Sequence, residues 1–167
     1  MTDIQRSAEL ERLMLSYGEM VKRFCAAQLG DAFQAEDAAQ DTFVKVWRAL
    51  DKFRNECSEK NWVMRIAVNV CRDYQRTGWF RHTERGVTPE DLPEEGREFA
   101  FPDGEVSRTV AALPKKLRMA VLLRYYQGLT VQETAETLQI SRATAKRHLK
   151  KAEQILRQQL EGWYEDE

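Results

Sequence analysis

Between residues 78 and 104 the chain loses any sustained hydrophobic period, and this break constrains the fold more than any other feature. The segment holds four of the eight glycines (Gly78, Gly86, Gly96, Gly104) and three of the four prolines (Pro89, Pro93, Pro102). Residues 77–107 carry 3 basic and 8 acidic side chains. Such a stretch buries too little apolar surface to offset chain entropy, and it reads as a flexible acidic linker over 78–104. The chain is thereby divided into residues 1–77 and residues 105–162, with a short acidic tail at 163–167. Each part lies near the lower size limit for independent folding.

Both parts carry the helical period. Leu10, Leu13, Met14, Tyr17, Met20, Val21 and Phe24 predict a helix over 8–28, stopped at Leu29-Gly30-Asp31. Ala35, Ala38, Ala39, Phe43, Val46, Trp47 and Leu50 predict a second helix over 34–50. A loop at 53–58 follows. Ser58 is placed to cap a third helix over 59–76, which Thr77-Gly78 closes. Beyond the linker, helices are expected over 105–112, 115–127, 131–138 and 142–160, with Pro114 at a natural first position and Gly128 as a stop. No segment alternates as a strand does. The expected fold class is all-α: an N-terminal helical bundle and a C-terminal helix-turn-helix bundle, joined by the acidic linker.

Composition narrows the function. No apolar run reaches the length of a bilayer span, and the first ten residues are polar with mixed charge, unlike a secretory signal. A cytoplasmic protein without membrane insertion is expected. Cys25, Cys57 and Cys71 form no CxxC pair, and the histidines are His82 and His148, so free thiols are expected, with no metal site and no cofactor. No Ser/His/Asp set and no glycine-rich phosphate loop is present, which argues against an enzyme; no catalytic residue is assigned. Glu36, Asp37 and Asp41 share a helix, but a solvated or docking face explains them better than catalysis.

The formal net charge of −1 conceals a segregated pattern. Residues 1–76 carry 12 basic and 12 acidic side chains, whereas residues 108–160 carry 11 basic and 3 acidic. A cationic block in a near-neutral chain points to a polyanion partner for that block. Within it lies GLTVQETAETLQISRATAKRHL, residues 128–149. Thr130 and Glu133 form a capping-box pair, Ala135 is small where helices cross, Leu138 and Ile140 bracket a turn, and Ser141 caps the next helix. Ala145 and Leu149 then point inward. This is the pattern of a DNA-binding helix-turn-helix. The outward face offers Arg142, Lys146, Arg147, Lys150 and Lys151, long donors suited to guanine edges and phosphates. Gln139 occupies a turn position where glycine is common and a positive φ is needed.

Two further blocks carry a family resemblance. Residues 37–54, DAAQDTFVKVWRALDKFR, and residues 62–76, WVMRIAVNVCRDYQR, resemble successive segments of extracytoplasmic-function sigma factors. LPKKLR at 113–118, LRYYQGL at 123–129 and the helix-turn-helix are similar to the C-terminal domain of that family. The resemblance covers nearly the whole chain apart from its first residues, linker and tail.

The resemblance implies roles. Asp37, Gln40, Asp41, Phe43 and Trp47 match the motif that docks on the clamp helices of the largest subunit of core RNA polymerase, although Phe43 and Trp47 are equally read as core residues. The loop with Arg54 and Asn55 matches the family's base-capturing loop. Trp62, Arg65, Asn69, Arg72, Asp73 and Arg76 match the helix that handles the melted downstream promoter element, with core packing an alternative for Trp62. Val68 stands where the family often has a basic residue. Lys146, Arg147, Lys150 and Lys151 match positions that read the double-stranded upstream element. Arg118, Arg124, Ser141 and Thr144 are expected nearer phosphates, and Arg142 is counted with the residues that bind the upstream element. The family also implies contact with the polymerase flap region and an anti-sigma factor as regulator. The acidity of the linker suits a path through the polymerase's basic RNA-exit region.

A conventional dimeric helix-turn-helix regulator remains as the alternative. It accounts for the C-terminal motif but leaves residues 37–54 without a role, and no heptad seam for dimerisation is present.

Overall fold

The computed structural model describes residues 1–84 and 104–165, with side chains at 1–77 and 106–160. Internal contacts divide the chain into two compact units, Met1–Phe99 and Ala100–Glu167. The described residues are helical in both, with no strand among them. The linker residues 85–103, and the side chains of the acidic tail, lie outside the described residues.

The first unit contains α1 (Asp3–Leu29), α2 (Ala32–Ala49), a 3₁₀ turn (Leu50–Lys52) and α3 (Glu59–Glu84). Helix α1 begins five residues before the expected start at residue 8, because Thr2 and Gln5 form a reciprocal capping box. Gly30 ends it in the left-handed region at φ 70°. Asp31 then caps α2, accepting from the amides of Phe33 (2.8 Å) and Gln34 (3.2 Å). The expected close of α3 at Thr77-Gly78 is corrected: the helix runs on to Glu84, since one interior glycine costs only about 1 kcal/mol. Ser58 does cap α3, accepting from the Asn61 amide at 3.1 Å.

Leu13, Val21, Phe24 and Cys25 from α1 meet Ala38 and Val46 from α2 and Val63, Met64, Ala67, Val68 and Cys71 from α3 in a core that excludes solvent. Each large apolar side chain buried there contributes about 1.5–3 kcal/mol. The Cys25 and Cys71 thiols touch at 3.6 Å and are free. Thiol contact and burial push the Cys71 pKa well up, which keeps that thiol protonated.

The second unit contains α4 (Glu105–Ala111), α5 (Lys115–Val121), a π turn (Leu122–Tyr126), α6 (Val131–Leu138) and α7 (Arg142–Glu165). The helix expected over 115–127 is therefore α-helical only to Val121. There the ladder widens, the Gln127 amide reaching the Leu122 carbonyl at 3.0 Å. Pro114 precedes α5 as its cap residue and is not its first helical residue. Helix α7 packs on α4, α5 and α6. Leu117, Leu123, Leu129, Ala135, Leu138, Ala145, Leu149 and Ala152 form the core between them.

Candidate nucleic-acid interface

The two helices of the motif are joined as the sequence requires. Thr130 and Glu133 close their capping box with two 3.0 Å bonds. Gln139 adopts φ 58°, ψ 43°, the left-handed conformation that ends α6. The Ile140 amide returns to the Ala135 carbonyl at 3.0 Å, while the Ile140 side chain is only half buried. Ser141 then caps α7, accepting from the Thr144 amide at 3.1 Å, and its hydroxyl lies 2.8 Å from that of Thr144.

Arg142, Lys146, Arg147, Lys150 and Lys151 are all exposed on α7, while Ala145 and Leu149 are buried on its opposite side. Arg147 donates to the Thr144 hydroxyl at 3.0 Å, which draws the guanidinium toward the start of the helix. His148 is half buried beside them. Its pKa is lowered by burial first, then by the charges of Lys116, Arg147 and Lys151.

Two cations assigned to phosphates are engaged elsewhere. Arg118 donates to the carbonyls of Ala111 (2.8 Å) and Leu113 (3.4 Å), so its guanidinium serves the end of α4. Burial lowers its pKa from the usual arginine value. Arg124 donates to the Leu129 carbonyl at 3.2 Å and lies over the Tyr125 ring at 5.4 Å.

In the first unit, Trp62, Arg65, Asn69, Arg72, Asp73 and Arg76 recur at helical spacing along one side of α3, and none of them is buried. Arg54 and Asn55 are exposed in the loop ahead of it, and Asn55 takes φ 58°. Asp73 accepts from Arg76 at 3.0 Å and pairs with Lys45 of α2 at 3.5 Å. Desolvation lowers the Arg72 pKa. Val68 is fully buried, so its place belongs to the core and a strand contact there is ruled out. The first turn of α3 is tied to α1: both terminal nitrogens of Arg12 reach Glu59, at 2.9 and 2.6 Å, and the Tyr17 hydroxyl donates to it at 3.2 Å. The Arg12 hydrogen bond holds the Glu59 carboxyl below its ordinary range.

On α2 the outward stripe is Phe33, Asp37, Gln40, Val44 and Arg48 at spacings of four, three, four and four. Phe33 is 53% exposed and Val44 47%. Phe43, at 6%, belongs to the core instead. Trp47 is half buried under the Arg6 guanidinium, 4.8 Å from its ring. Asp41 accepts the Tyr74 hydroxyl. Sequence reasoning missed Phe33 and Val44; an apolar residue on each side of the acids was the available signal.

The Sigma-70 region 2 family model matches residues 13–96, and the Sigma-70, region 4 model matches residues 103–156. An ECF RNA polymerase sigma-E factor of Escherichia coli is 30% identical over 140 residues, covering 72% of this chain and 70% of that protein. The chain belongs to the extracytoplasmic-function sigma factor family.

It is thus an alternative sigma factor that directs promoter-specific transcription, and its family consists of DNA-binding initiation factors, not enzymes. This sigma factor is also 28% identical to the RNA polymerase sigma-H factor of Pseudomonas aeruginosa over 158 residues, 86% of this chain and 82% of that one. Its fold matches the sigma factor RpoE of Bartonella quintana, solved in complex with the anti-sigma factor NepR, at a TM-score of 0.71 and 20% identity (92% and 97% coverage). It also matches CnrH, solved with the cytosolic domain of CnrY, at 0.69 and 24% (93% and 90%). No helix among the described residues of the sigma factor is long and apolar enough to cross a membrane.

Proposed function

We propose that this sigma factor works in the cytoplasm through three separate surfaces. The stripe Phe33, Asp37, Gln40, Val44 and Arg48 docks on the clamp helices of core RNA polymerase. Exposed apolar residues flanking an acid and an amide suit a helical partner with apolar and basic side chains. Phe43 and Trp47 act from behind by fixing the helix. The loop at Arg54 and Asn55, with Trp62, Arg65, Asn69, Arg72 and Arg76 of α3, holds the melted downstream element by base capture and phosphate contact. The exposed cations of α7 read the double-stranded upstream element in the major groove, with Ser141 and Thr144 near its backbone. The second unit is also the candidate for the flap region, and the residues between Glu84 and Gly104 for the tether between the units. Binding energy drives the process, with no covalent chemistry by this chain.

The observation carrying this reading is the placement of Arg142, Lys146, Arg147, Lys150 and Lys151 on the open side of a helix that follows a left-handed turn. A regulatory anti-sigma factor would have to cover the same exposed apolar and cationic surfaces. The test is transcription by core polymerase reconstituted with the chain on a genomic library. Promoter-specific initiation that disappears when Lys146 and Lys150 become alanine is expected. Initiation indifferent to these substitutions overturns the reading. Symmetric binding to a palindrome without polymerase would favour a conventional dimeric regulator.

A further inference from the structure

From Lys60 to Thr77, helix α3 carries four cations (Lys60, Arg65, Arg72, Arg76) and one acid, Asp73. A carboxylate on a surface meant for a polyanion repels phosphate unless its charge is engaged. Here both oxygens are engaged, by different helices: Oδ1 accepts from Arg76 at 3.0 Å, and Oδ2 lies 3.5 Å from the Lys45 ammonium on α2. Lys45 and Asp73 are each about half exposed and Arg76 is more so. Ion pairs in such settings contribute little to stability, so a purely structural role is a poor explanation.

Asp73 also stands at the edge of a cleft between α2 and α3 of about 250 Å³, lined in part by Asp41, Lys45, Arg48 and Tyr74. The other acid of the cleft, Asp41, is bound by the Tyr74 hydroxyl. Lys45 and Arg48 are exposed along its α2 side. The cleft therefore continues the cationic side of α3 onto α2, with Asp73 as the counter-ion where the two meet.

We propose that Asp73 is a displaceable counter-ion that shares Lys45 and Arg76 until phosphates of the melted strand take its place. Lys45 then extends the strand track from α3 across the cleft onto α2. This rests on the strand-binding role of α3 proposed above, and within that helix it makes Asp73 an electrostatic brake and not a strand contact. The physical consequence is selectivity. Each phosphate contact adds sequence-independent affinity. A resident carboxylate that must first be displaced lowers the affinity for any strand, so base capture elsewhere decides whether the strand is held.

The test uses holoenzyme reconstituted from core polymerase and the full chain. It is titrated over roughly 50–300 mM KCl with a fork-junction DNA bearing a single-stranded non-template overhang, taken from a promoter recovered in the library experiment. Asp73→Asn should bind about three- to tenfold tighter at low salt, with the advantage shrinking as salt screens the carboxylate. Asp73→Glu should stay near wild type. Lys45→Gln should weaken binding and remove most of the gain when combined with Asp73→Asn. Unchanged binding by Asp73→Asn overturns the proposal. So does weaker binding at an unchanged melting temperature, which would mark Asp73 as a reader of a base. Arg65→Gln in the same assay judges α3 separately: if it leaves the affinity intact, the strand role of α3 itself fails, whatever Asp73 does.

Discussion

Phe53 stacks on Trp62, with ring centroids 4.6 Å apart and planes at 23°. The stack fastens the loop before α3 to the first turn of that helix, and Asn55 sits between its two ends in a left-handed conformation. Backbone and side-chain roles of Asn55 can therefore be separated. Asn55→Ala should cost about 1 kcal/mol, because a Cβ-bearing residue without a local hydrogen-bonding group resists positive φ. Asn55→Gly should cost nothing measurable. Both should lose strand opening, read by permanganate reactivity of the promoter, if the amide holds a base. Opening retained in Asn55→Gly would limit Asn55 to shaping the loop.

Gln139 occupies the other non-glycine left-handed position among the described residues, at the turn between α6 and α7. Gln139→Gly should raise the stability of the second unit by about 1 kcal/mol by removing the Cβ penalty. The midpoint of urea unfolding checks this. No gain would mean that the glutamine side chain compensates for its own strain.

Arg118 and Lys146 are both basic but predict opposite phenotypes. Arg118→Ala removes a half-buried guanidinium from two carbonyls and should cost about 1.5–3 kcal/mol of stability. Its effect on DNA binding should follow from unfolding alone. Lys146→Ala should leave the melting temperature unchanged and lower the affinity for upstream duplex. Where Lys146 contacts phosphate, the salt slope falls by about 1; where it contacts a base, discrimination falls instead. Thermal melts run beside duplex titrations distinguish the pair.

The contrast marks where the sequence was legible. Periodicity located the cores of α1, α2 and α3, since Leu13, Val21 and Phe24 have no other way to leave water. Local chemistry revealed the Thr130–Glu133 box and the strained turn at Gln139, because both depend on residues three or four apart. The Thr2–Gln5 box obeys the same rule and could have set the start of α1. The phase of α2 was harder: Phe43, Val44, Val46 and Trp47 are nearly contiguous, and only packing decides that Phe43 turns inward while Val44 stays out. The Lys45 partner of Asp73 and the carbonyl partners of Arg118 were not readable. A spacing places a long or charged side chain on a helix, but which carbonyl or ammonium it reaches is a tertiary outcome. Lys45 and Asp73 lie on different helices, and nothing local links them.

His148 gives a pH dependence of definite sign. Its folded pKa is depressed, by burial first and then by Lys116, Arg147 and Lys151, from the ordinary value of 6.5. The unfolded chain thus takes up the proton first. The stability due to neutral His148 is present above pH 6.5 and is lost as pH falls toward the folded pKa. His148→Gln should flatten that acid limb in the thermal unfolding of the protein. Phosphate binding would offset the three neighbouring charges, so duplex affinity should rise as pH falls through the same range in wild type and less in the variant.

The division of labour is tested most directly by titrating labelled core RNA polymerase with the full chain and with Gln40→Ala/Val44→Asp, two substitutions on the open side of α2. The affinity should drop at least tenfold, about 1.4 kcal/mol, with the melting temperature preserved, and Lys146→Ala/Lys150→Ala should leave it unchanged. Core affinity that survives the α2 pair intact, or that is lost with the α7 pair instead, contradicts the assignment of polymerase to α2 and DNA to α7.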